Sequence, residues 1–121
     1  MSYIQRIVSP DQRFFILVEE SEIRMSHWIK NATLGESQSQ RLMLQVGNWQ
    51  WSSEEILWSA DSRFVTIGLR RYPGDADGIV IDIYPDRQVV VPHAPAATEP
   101  LSFGALDAFL EDYYQQHRRD T

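Results

Sequence analysis

The chain has no cysteine and only three histidines among its 121 residues. Without thiols, structural disulfides, zinc–thiolate centres and cysteine nucleophiles are excluded. No H-x-H or H-E-x-x-H spacing joins His27, His93 and His117, so a transition-metal site has no ligand set. The six glycines are scattered and never gather into a phosphate-cradling run, and no cofactor is expected. Long apolar runs are missing too. "FFILV" (Phe14–Val18) is far too short to span a bilayer. The N-terminal stretch "MSYIQRIVSPDQRF" lacks the basic-then-apolar order of a secretory signal, so a cytoplasmic protein with no membrane association is expected.

Positive charge is sparse. Seventeen acidic and eleven basic residues leave a net charge of −6, and the only basic clusters are pairs such as Arg70-Arg71 and Arg118-Arg119. Nucleic acid as a partner is not expected, because binding it requires a cationic footprint that displaces counterions. The acidity keeps a small protein soluble and suits a basic partner surface.

What is present is a β-rich chain of ordinary globular composition, 43% hydrophobic and 23% charged. Its length suits one domain. Strand patterns are expected at Arg13–Glu19 and Glu22–Lys30, the latter with Ile23, Met25, His27 and Ile29 on one face. The link "ESE" reads as a hairpin, and the polar "NATLGESQSQ" (Asn31–Gln40) as a loop. Arg41–Val46 is another strand, which "GNWQWSS" breaks. Ile56–Trp58, Arg63–Arg71, Gly78–Tyr84 and Gln88–Val91 continue the series, with "YPGDADG" as a turn-rich loop. "PHAPAATEP" reads as a linker because each proline removes a donor. A helix is expected from an N-cap at Ser102, with Phe103, Leu106, Leu110, Tyr113 and His117 on one stripe. Acidic residues early in it and arginines late suit the helix dipole. The domain thus divides into a first β repeat (1–50), a second (51–92), a Pro/Ala linker (93–101) and a C-terminal helix (102–119).

The repeat lies in the words themselves. "SPDQRF" (residues 9–14) returns as "SADSRF" (59–64), at an offset of fifty. Serine and aspartate can bond backbone amides two or three residues on, which holds a tight turn. "WSADSRFVTI" (Trp58–Ile67) and, less closely, "VSPDQRFFIL" (Val8–Leu17) resemble the W-S-P-D-G-R-x-[IVL]-[AV]-F signature of TolB and WD40-like β-propeller repeats. Two departures stand out: neither copy has the glycine after aspartate, and two repeats cannot close a ring in one chain. The resemblance implies an antiparallel meander of about eight strands built from two blade-like repeats. The helix would pack on the sheet, giving a mainly β fold with one C-terminal α-helix. Assembly with other copies, as a homo-oligomer, is the alternative use of the repeat. The stretches "IRMSHWI" and "LRRYPGD" also resemble small uncharacterised bacterial proteins, which implies no activity.

Catalytic candidates are few. His27 alternates with apolar residues, His93 lies in the linker and His117 near a helix end. Asp11 and Asp61 fall at the same place in each copy, which suits a structural turn better than acid–base work. "DADG" (Asp75–Gly78) lacks the third acidic position and distal glutamate of a calcium loop. Tryptophan offers more. Trp28 and Trp58 are expected in the core, whereas Trp49 and Trp51 share one side of any extended segment within an otherwise polar stretch. One of that pair is expected as a surface anchor, a residue type enriched at binding hot spots. The set Arg70, Arg71 and Tyr72 is a second contact patch. The function expected is a non-enzymatic module that binds another protein, of the adaptor or immunity kind. The alternative is a small-molecule or carbohydrate binder that stacks its ligand on the tryptophans.

Overall fold

The computed structural model describes residues 2–24, 27–71, 77–93 and 99–117. Its elements in chain order are β1 (Ser2–Val8), β2 (Phe14–Arg24), β3 (His27–Glu36), β4 (Leu42–Val46) and β5 (Trp51–Trp58). They continue with β6 (Val65–Arg71), β7 (Ile79–Tyr84), β8 (Val89–Pro92) and β9 (Leu101–Ser102). A 3-10 turn, Phe103–Ala105, leads into α1 (Leu106–His117). β1 to β4 form one sheet and β5 to β9 another, each in sequential order with antiparallel neighbours. The fold is mainly β with one C-terminal helix packed on a sheet, as the composition and the turn chemistry led one to expect.

Several boundaries differ from expectation for physical reasons. Glu22–Lys30 is not one strand: Arg24 pairs with His27 across a hairpin, so the apparent alternation joins two antiparallel strands. The "ESE" link lies within β2, and Asn31–Glu36 is strand rather than loop. Polar residues there occupy alternate positions while Ala32 and Leu34 point into the core without solvent exposure. Gly35 marks no turn. A Cβ on it would overlap Cζ of Phe15, so the glycine is the seat of that ring. β5 starts at Trp51, inside the stretch expected to break the sheet. Leu101 and Ser102 pair with Val90 and Val89 and add a strand at the end of the expected linker. Ser102 has extended backbone and makes no side-chain cap; the α-helix begins four residues later.

The two sheets bury one continuous core. The first contributes Phe14, Ile16, Val18, Ala32, Leu34 and Val46. The second contributes Trp58, Val65, Ile67, Leu69, Ile79, Ile81, Ile83 and Val90. Leu106, Leu110 and Tyr113 of α1 join the same cluster, so the helix buries the stripe read from its spacing. At the offset of fifty, Phe14 corresponds to Phe64 and Ile16 to Thr66. The first sheet therefore packs through the face of residues 14, 16 and 18, whereas the second uses the opposite face, that of 65, 67 and 69. The sheets stack front to back rather than face to face.

Candidate functional site

Both copies of the repeated phrase build the same turn. The Ser9 hydroxyl donates to Asp11 Oδ1 at 2.7 Å and accepts from the Phe14 amide at 3.1 Å. Asp11 Oδ1 also accepts from the Arg13 amide at 3.0 Å. In the second copy the corresponding distances are 2.7, 3.2 and 3.2 Å through Ser59, Phe64, Asp61 and Arg63. The serine hydroxyls, and next the arginine amides, hold both aspartates below the ordinary carboxylate range. Gln12 and Ser62 stand where the propeller signature has glycine, and both adopt left-handed backbone, at φ of 64° and 62°. The geometry that favours glycine is present although the glycine is not.

The turns also meet each other. The Asp11 amide donates to Ser62 Oγ at 2.9 Å, and Trp58 Nε1 donates to the Ile7 carbonyl at 3.0 Å. Arg13 forms a two-pronged ion pair with Asp86, at 3.1 and 2.6 Å. Asp11 and Asp61 thus serve turn geometry, each through two hydrogen bonds to its Oδ1.

A second constellation lies at the end of the second sheet where β5 begins and β6 ends. Trp51 pairs with Arg71 across the strands and Ser52 with Arg70, which brings together two sequence-distant candidates. Trp51 is 2% exposed, its ring 6.1 Å from that of Tyr113. The Arg71 guanidinium lies 3.9 Å from the ring centre of Tyr114 and 5.9 Å from that of Trp51, and pairs with Glu111 at 3.5 Å. Its Nε is buried with no hydrogen-bond partner among the described residues. A hydrogen bond from Gln115, and next the charge of Arg71, lower the pKa of Glu111; burial raises that of Tyr113. Arg70 is exposed and 3.8 Å from Glu54. Tyr72 lies outside the described residues.

Trp49 differs from Trp51 in every respect. It is 41% exposed and sits in the turn before β5, so the two do not share one side of a strand. Gly47, Asn48 and Trp49 are all left-handed, at φ of 84°, 48° and 63°. The Gly47 carbonyl accepts from the amides of both Gln50 and Trp51 and closes the turn. A Cβ on Gly47 would come within 2.7 Å of Trp51. Trp58 is buried as expected, and Trp28 is half-buried, 5.9 Å from the ring of Tyr3.

One polar group escaped the sequence reading. His93, placed in the linker, lies beside the second sheet, its amide donating to the Val80 carbonyl. His93 Nε2 is 2.8 Å from Asp82 Oδ2, and Thr66 Oγ1 donates to Oδ1 of the same carboxylate at 2.6 Å. Hydroxyl and imidazole each bond the aspartate and not each other, so the three do not form the hydroxyl–imidazole–carboxylate order of a catalytic triad. No sequence motif announces this trio, because strand pairing alone brings it together. His117 donates from Nδ1 to the Tyr113 carbonyl and stacks on that ring at 4.0 Å. Among the described residues no group of three or more carboxylates and histidines could hold a metal ion, and no helix is long and apolar enough to cross a membrane.

Compared with family models, with curated proteins and with solved structures, the chain finds no match in any of the three.

Proposed function

We propose that this chain is a non-enzymatic protein-binding module of the adaptor or immunity kind, built of two blade-like repeats. It meets its partner at the end of the second sheet beside Trp49, where Arg70 and Arg71 close β6, and Tyr72 follows them in the sequence. The observation that carries the reading is Trp49 itself. A large aromatic in left-handed backbone costs about 1–2 kcal/mol, and this one is held outward, where burial returns little. Two consecutive left-handed residues before it and a doubly bonded Gly47 carbonyl fix its direction. A pre-oriented tryptophan is the kind of anchor that dominates protein interfaces. The ligand-stacking alternative has less to use, since Trp51 and Trp58 are buried and leave Trp49 without a second exposed indole beside it in the chain.

The test is capture from an extract of the native host with wild type, Trp49→Ala and Arg70→Glu side by side. Trp51→Ala is unsuitable because it would open the core. A protein retained by wild type and lost by both surface variants is the expected result. Equal retention by all three, or no capture by wild type, would overturn the reading.

A further inference from the structure

The front-to-back stacking leaves each sheet one uncovered face, and the internal repeat says what each face matches. Strand register extends the correspondence beyond the turn. Val80 and Asp82 stand opposite Gly68 and Thr66 as Ala32 and Leu34 stand opposite Val18 and Ile16. The outer face of the second sheet, with Leu57, Phe64, Thr66, Val80 and Asp82, is therefore the counterpart of the face through which the first sheet packs. Likewise Val8, Phe15 and Leu42 on the outer face of the first sheet correspond to Trp58, Val65 and Val90, which are buried under it.

Exposure follows this correspondence chiefly on the edge strands, while Phe15 at the centre of the first outer face is covered by Arg6. Leu57 is 72% exposed, whereas its counterpart Ile7 packs against the core. Leu42 is exposed where Val90 is fully buried, and Val8 where Trp58 is covered. Of the seven large hydrophobic side chains exposed among the described residues, Ile4, Val8 and Leu42 lie on the first outer face. Leu57 and Val80 lie on the second. Each face carries charge of both signs, Arg6 over Phe15 with Glu19 on the first, and Glu55 and Asp82 with Arg70 on the second. The Asp82 oxygens are already bonded by Thr66 and His93, so covering them leaves no bare carboxylate.

We propose that a second copy of this chain seats the outer face of its first sheet on the outer face of the second sheet, head to tail, repeating between molecules the contact made within one. The proposal does not rest on Trp49, which lies in the turn before β5, although Arg70 stands at the end of the second outer face. Three polar links of the internal contact have altered counterparts. Val8 stands for Trp58, Gln12 for Ser62, and Gln38 for Asp86, two residues past its strand as Asp86 is past Tyr84. The contact between copies is accordingly weaker than the internal one and concentration-dependent. Being heterologous, it propagates until it closes.

Sedimentation of the whole chain over a range of concentrations tests this, with Leu57→Asp and Leu42→Asp as variants at exposed positions and circular dichroism as the check on folding. Wild type should associate, and each variant alone should lose at least ten-fold in affinity. Mixed, the two variants should form a 1:1 complex that grows no further, because each retains the face the other lacks. Val8→Trp with Gln38→Asp, which restores two of the three links, should tighten wild-type association at least ten-fold. A wild type that stays monomeric up to about 1 mM overturns the proposal. Dissociation by only one of the two variants does so too, since it would mean a symmetric contact through one face.

Discussion

Replacing Gln12 or Ser62 by glycine makes the same backbone change at two equivalent positions and should give opposite results. Both residues are left-handed, at φ of 64° and 62°. That conformation costs a residue with a Cβ about 1–2 kcal/mol, and glycine removes the cost while losing about 0.5–1 kcal/mol more chain entropy on folding. The net backbone gain is about 0.5–1 kcal/mol at either site. Gln12 is exposed, so Gln12→Gly should show the gain undiminished. Ser62 is buried, and its hydroxyl receives the Asp11 amide from the other repeat. Removing that acceptor strands a part-buried donor and costs about 1–3 kcal/mol, which outweighs the gain. Ser62→Gly should therefore be less stable than wild type by about 1 kcal/mol, and Gln12→Gly more stable by about 0.5–1 kcal/mol. Urea unfolding at constant m-value measures both, and for a chain of this size the two melting temperatures should differ by roughly 5–8 °C. Equal shifts in the two variants, or a loss of stability in Gln12→Gly, would refute the reasoning, because the only difference invoked is one hydroxyl bridging the repeats.

Trp51→Ala should cost about 3–5 kcal/mol and lower the cooperativity of unfolding, because it removes the ring against which Tyr113 and Arg71 rest; a loss below 1 kcal/mol in urea would contradict that packing. Gly35→Ala drives a methyl group into the Phe15 ring and should destabilise by about 1–3 kcal/mol, a loss that Phe15→Leu in the same chain should partly relieve; strictly additive effects in the cycle would argue against contact. The pKa values of Asp11 and Asp61 are depressed in the folded state, so the stability they contribute is complete above the ordinary value of 3.8 and is lost as pH falls through their lower folded values. Asp11→Asn with Asp61→Asn should flatten acid unfolding in that window, and an unchanged acid limb in urea midpoints would show that these turns do not govern it.

Side-chain pattern made the second half of the chain legible and failed in the first. Val65, Ile67 and Leu69, and Ile79, Ile81 and Ile83, alternate cleanly because one face of that sheet is core and the other is not. In the Asn31–Glu36 part of β3 the hydrophobic inward residues are only Ala32 and Leu34, set among Asn31, Thr33 and Gly35, and composition hid a strand that register reveals. Trp49 and Trp51 were found as a pair by spacing, but spacing assumes extended backbone. Three successive left-handed residues break that assumption and send one indole outward while the other is buried. His93 was illegible for a different reason. Its partner Asp82 lies eleven residues away on a neighbouring strand, and nothing local links them.

The repeat is most informative where its copies disagree. Serine, aspartate, arginine and phenylalanine are shared, and all but the arginine side chain serve to hold each turn onto its own strand. Besides the Lys30 amide bonded to Ser52, the side-chain bonds between the sheets come from Trp58, Ser62 and Asp86, which have valine and glutamines as counterparts in the first copy. Arg13 is shared with Arg63, yet Arg13 is the one that meets Asp86. A sequence with identical copies would offer the same contact on every face and have no reason to prefer its own second sheet to another molecule's. Tryptophan, serine and aspartate placed only in the second copy make the internal pairing the stronger one. They set which two faces close within the chain and which two are left outside it.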